Sequence, residues 1–124
     1  MKESIAYKKS LTLGTEIAML CIKLKHKKEF NLSDQLLRSA SSVGANIAEA
    51  IGAHTKKEFL CKVNIALKEA RETEHWLKIL QHSQVVHGDY TKYLILVNEI
   101  IKMLCKTSIT TKNNLEKLKN AKLS

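Results

Sequence analysis

The 124-residue chain contains no proline and only four glycines. Proline removes a backbone donor and breaks helix interiors, and glycine loosens them. A chain so poor in both is free to run in long helices joined by few, short connections. Hydrophobic residues make up 44% of it. At this length that suffices for one domain with its own core, without disulfide or metal staples.

Apolar residues then recur with helical rhythm in four segments. In the first, about Ser4 to Lys27, the residues Leu13, Ile17, Leu20 and Leu24 return at spacings of four, three and four, which is one helix face. The second runs from about Ser33 to Ile51, with Asn31 or Ser33 as cap and Leu36, Ala40, Val43, Ile47 and Ile51 as its stripe. It is rich in small residues, including Gly44, Ala45 and Ala48, so a neighbouring backbone is expected to approach it closely. The third, Lys56 to His82, opens on Thr55-Lys56-Lys57-Glu58, a capping box. Its stripe is Phe59, Val63, Ala66, Ala70, Thr73, Leu77 and Leu80. The fourth starts near Tyr90 with Asp89 as cap, and Leu94, Val97, Ile101, Leu104, Ser108, Leu115 and Leu118 keep the rhythm. Threonines and asparagines after Cys105 lower helix propensity, which predicts a firm helix to about Thr111 and a frayed basic remainder. Four such helices can bury their stripes only against one another. The predicted fold is all-α, an antiparallel up-down-up-down four-helix bundle.

Charge is the other strong signal. Lys and Arg total 21 against 12 Asp and Glu, a formal net charge of +9. Residues 1–30 carry net +4, residues 31–101 net zero and residues 102–124 net +5. The surplus therefore lies on the first helix and the end of the fourth, which are neighbours in an up-down bundle. The candidate nucleic-acid-binding residues are Lys8, Lys9, Lys23, Lys25, Lys27, Lys28, Lys112, Lys117, Lys119 and Lys122, expected as a stripe along both helices, with Lys2 near it. A polyanion is the partner that such a surplus suits. Lysines that merely solubilise the surface or oppose helix dipoles are the competing reading. Aromatic residues are sparse, with no array to stack single-stranded bases, so phosphate contacts should dominate any binding.

Chemistry is harder to find. No nucleophile–base–orienter motif and no phosphate-cradling glycine loop is present, so no catalytic residue and no cofactor is assigned. His75, His82 and His87 match no metal-site spacing, and no metal is expected. Glu69, Glu72 and Glu74 with Lys68, Arg71 and Lys78 read as a charge network. Cys21, Cys61 and Cys105 lie in apolar patterns and read as buried, reduced thiols. Without a signal-peptide pattern or a run of about 20 apolar residues, the expected location is the cytoplasm and not a membrane. Asn46 and Glu49 sit among small residues of the second helix. They are either simply exposed or form a polar lock with Arg71 or other third-helix side chains, or across a subunit boundary. Gly44, Asn46, Ala48, Glu49 and Arg71 are thus the candidate packing or oligomer-interface residues.

The run Asp34-Gln35-Leu36-Leu37-Arg38-Ser39-Ala40-Ser41-Ser42-Val43-Gly44-Ala45-Asn46-Ile47-Ala48-Glu49-Ala50 resembles a signature of the bacterial four-helix-bundle proteins of 23S ribosomal RNA intervening sequences. Ala66-Leu67-Lys68-Glu69-Ala70-Arg71-Glu72-Thr73-Glu74-His75-Trp76-Leu77 resembles the second signature. Gly44 and Ala50 depart from the pattern in identity but not in size. The resemblance spans about Leu11 to Leu104. It implies antiparallel bundles assembled as ring-like homopentamers. It also implies kinship with the accessory variability proteins of diversity-generating retroelements, which bind nucleic acid and work with a reverse transcriptase.

Overall fold

The computed structural model describes residues 3–123. Four helices account for nearly all of them: α1 (Glu3–His26), α2 (Phe30–Ile51), α3 (Lys56–Ser83) and α4 (Thr91–Leu123), with no strand among the described residues. Each helix packs on the next, and α1 also touches α4, while the diagonal pairs do not meet. That closed ring is the up-down-up-down bundle. Its antiparallel register can be followed in side-chain contacts. Glu49 near the end of α2 pairs with Lys62 near the start of α3, whereas Arg38 near the start of α2 reaches Glu69 and Glu72 further along α3. Ser108 donates to Asn64 at 2.6 Å, and Arg71 reaches the Cys105 sulfur at 3.4 Å.

The periodic stripes form the core. Leu13, Ile17, Leu24, Leu36, Val43, Ile47, Val63, Leu77, Leu80, Val97 and Leu104 are fully buried. Burying a side chain of this kind is worth about 1.5–3 kcal/mol, so these helices are held by packing rather than by propensity. Two stripe positions are exposed. Ile51 is 43% exposed, because α2 stops there, and Ala50 is buried in its place. Leu118 is 49% exposed on the far end of α4. Among the described residues four polar side chains are buried, and each is bonded: Ser10 to the Tyr7 carbonyl, Ser33 to the Cys21 carbonyl, Ser39 to the Leu36 carbonyl, and Thr73 to Ser39.

The helix ends explain where the expected boundaries move. α1 closes with Lys28 at φ 63°, its amide bonded to the Lys25 carbonyl and the Glu29 amide to that of Leu24. This is a Schellman turn on a non-glycine residue. It reverses the chain in so few residues that α2 begins at Phe30, and neither Asn31 nor Ser33 caps it. Ser33 lies instead within α2, held by α1. At α3, Thr55 accepts from the Glu58 amide at 3.0 Å, as the capping box requires, while Glu58 reaches back one residue further than expected, to the His54 amide. α4 starts one residue late, at Thr91. Asp89 accepts from the Thr91 amide and hydroxyl, and these bonds hold its carboxyl below the usual carboxylate range. The expected fraying after Thr111 does not occur, and α4 is helical to Leu123. Thr107 donates to the Met103 carbonyl one turn back, so its hydroxyl is accommodated within the helix.

Candidate nucleic-acid and subunit interface

Lys23, Lys25, Lys27 and Lys28 lie exposed on the last turn of α1 and the reversal after it. Lys112, Lys117, Lys119 and Lys122 lie exposed on the last turns of α4. Lys9 donates to Glu99 at 2.7 Å. Counting back along the antiparallel pair from that bridge puts Glu3 level with Cys105. The second lysine group therefore lies further along α4 than Lys8 and Lys9, not beside them. Lys56, which opens α3, shares a recess with Asn114, so the helix beyond Asn114 also passes the end of α3. Instead of one stripe, two basic clusters stand near opposite ends of the bundle. They are separated by more than the length of α1, whose 24 residues span roughly 36 Å. Lys2 lies outside the described residues.

Among the described residues, none of those eight lysines is ion-paired; the bridges use Lys9, Arg38, Lys62 and Lys78. Lys9 is thus a bridging residue rather than a free cation, and Lys8 is exposed beside it. The central carboxylates are engaged locally. Arg38 bridges Glu69 and Glu72, and Glu72 also accepts from the Trp76 indole at 3.1 Å. The bundle is therefore neutralised around its waist and positive towards its ends.

The expected polar link to α3 forms in part, through Glu49 and not through Asn46 or Arg71. Asn46 donates to the Ser42 carbonyl of its own helix at 2.8 Å. Exposed Glu49 pairs with Lys62 of α3 at 3.0 Å, and this bond raises the Lys62 pKa. Arg71 points to Cys105 on α4 and does not reach α2, because it lies on the opposite flank of α3. The buried polar link between α2 and α3 is Thr73 to Ser39, two small hydroxyl residues that the periodic pattern does not set apart.

A groove of about 420 Å³ between α1 and α2 is floored by small residues, including Gly14, Ala18, Gly44, Ala45 and Ala48, with the larger Tyr7, Leu11 and Leu37 beside them. No charged side chain lines it. At Gly44 a Cβ would sit 3.2 Å from the Ser10 hydroxyl, so glycine permits the close approach of α1. Ala45 and Ala48 are exposed, as are Leu11, Met19 and Ile22 on α1 and Phe30 on α2. Among the thiols only Cys21 is buried; Cys61 is exposed and Cys105 half-buried, which corrects the expectation that all three are interior. Cys61 falls on the solvent flank of α3, between Leu60 and Lys62.

The model of the 23S rRNA-intervening sequence proteins matches residues 2–106. The chain belongs to this family. A solved structure from the S23 ribosomal protein family, a protein with unknown function from Bacteroides thetaiotaomicron VPI-5482, is 40% identical to it. The superposition covers 84% of this chain and 98% of that one, with a TM-score of 0.79. No curated protein matches the chain. Among the described residues, no cluster of three or more His, Cys, Asp or Glu could hold a metal ion, and no helix is long and apolar enough to cross a membrane.

Proposed function

We propose that this family member is a non-enzymatic, homo-oligomeric nucleic-acid-binding protein, an accessory to an RNA element or to a reverse transcriptase. The observation that carries the reading is the pair of exposed lysine clusters that form no ion pair among the described residues. Free ammonium groups on rigid helix ends suit phosphate contacts, which release condensed counterions and discriminate poorly between sequences. The family name, which refers to an intervening sequence of 23S rRNA, supports RNA as the polyanion.

Self-assembly is part of the same proposal. The uncharged α1–α2 groove suits a second copy of the chain, because small residues let a partner helix come close. Five copies in a ring are the proposed state, on the family resemblance. Several +9 chains in one particle would make many weak phosphate contacts act together.

The test is binding of a structured RNA and of a DNA duplex across a salt series. Changing Lys23, Lys25, Lys27 and Lys28 to Gln, and separately Lys112, Lys117, Lys119 and Lys122 to Gln, should each flatten the salt slope with helicity intact. Unchanged binding in both variants moves the site off these ends. No binding at low salt leaves a protein–protein scaffold as the better reading. Ala48→Trp should disperse the oligomer but leave the bundle folded, since Ala48 borders the open groove rather than the core. An oligomer unchanged by Ala48→Trp places the subunit contact elsewhere.

A further inference from the structure

Phe59 is half-buried near the start of α3, packed against the core on one side. It also lines recesses on both sides of α3. One, of about 480 Å³, opens towards the α2–α3 turn. The other opens towards α4, at about 320 Å³, and is lined by Thr107, Thr110, Thr111 and Asn114, with Lys106 at its rim. A smaller adjoining hollow adds Lys56. The α4 side is thus a row of neutral donors and acceptors at helical spacings of three and four, which puts them on one flank. Lysines of two different helices stand around it, and Lys117, three residues past Asn114, continues that flank. Thr107, Thr110, Thr111 and Asn114 all lie after residue 106, where the family match ends. The recess is therefore built partly from sequence beyond the family match.

We infer that the recess between Phe59 and the Thr107–Asn114 flank of α4 receives an unpaired nucleobase of a single strand, with Lys56 and Lys106 on its flanking phosphates. The inference rests on the nucleic-acid reading above and names the substrate class for one part of that surface. An aromatic ring offers any base a stacking face, while Asn and Thr offer both donors and acceptors to a base edge. A volume of a few hundred Å³ lies at the small end of ligand pockets and excludes a duplex. Near the start of α3, Glu58 is engaged by the His54 amide and Glu49 by Lys62.

The experiment compares an oligothymidylate with an abasic oligomer of equal length and charge, by fluorescence anisotropy at low salt. The base-bearing strand should bind roughly tenfold more tightly. Phe59→Leu, which keeps an apolar side chain, and the surface variants Thr111→Val and Asn114→Ala should each reduce that ratio. Their affinities for the abasic strand and for a duplex should not change. Equal, measurable affinity of the wild-type protein for both strands overturns the base recess and leaves the phosphate-binding reading standing. A ratio that survives in all three variants overturns it as well. No binding of any strand or duplex overturns both.

Discussion

Thr73 of α3 donates a hydrogen bond to Ser39 of α2 at 2.9 Å, with both side chains fully buried. Ser39 passes its own proton to the Leu36 carbonyl. Two small hydroxyls thereby tie the helices at a fixed register in a largely aliphatic core. Thr73→Val should destabilise the protein by about 1 kcal/mol, since the Ser39 oxygen loses its donor in a site that water does not reach. Ser39→Ala should cost less, because Thr73 also lies 2.9 Å from the Glu69 carbonyl and can donate there. The double variant should lose less than the sum of the two. Urea unfolding at one fixed protein concentration measures all three, and strict additivity would contradict the link.

Lys28 holds a left-handed conformation that costs a side-chain-bearing residue about 1–2 kcal/mol. Lys28→Gly should therefore stabilise the fold by roughly 0.5–1 kcal/mol and raise Tm by a few degrees. A lower Tm would show that the lysine side chain contributes something the turn geometry does not reveal.

The three cysteines should react in order of access. Exposed Cys61 should be labelled first by a thiol reagent, half-buried Cys105 beneath Arg71 more slowly, and Cys21 only on unfolding. Burial pushes the Cys21 thiol up and keeps it protonated, and it donates to the Ser33 carbonyl. Timed mass spectrometry of peptides reads the order, and early labelling of Cys21 would contradict the packing of α1 on α2.

Much of the bundle was legible because helical periodicity reports burial directly. Leu13, Ile17, Leu24, Val63 and Leu77 had no other place to go. The Thr55 cap was legible for a different reason, since its partners lie within one turn. What the pattern missed was set by relations between helices. Ser33 looks like a cap until α1 supplies the Cys21 carbonyl as its acceptor. Arg71 looks like a partner for Glu49 until the register of α3 turns it to α4. The length of α4 was underestimated because the propensity penalties of threonine and asparagine are only a few tenths of a kcal/mol each, and the helix continues through Thr110, Thr111, Asn113 and Asn114. In the candidate site, the confinement of charge to α1 and α4 could be counted from residues. That the two lysine groups stand near opposite ends follows from the antiparallel order of α1 and α4, and the Lys9–Glu99 register adds that Lys112 to Lys122 lie beyond the start of α1.

The central claim is that an assembly of these chains holds nucleic acid through lysines that nothing else neutralises. Sedimentation velocity of a labelled structured RNA mixed with micromolar protein, at low and at high salt, tests it most directly. The account predicts RNA sedimenting with a particle of several 14.0 kDa chains at low salt, and released from a still-assembled particle at high salt. A 14.0 kDa monomer with RNA unmoved at low salt would contradict it.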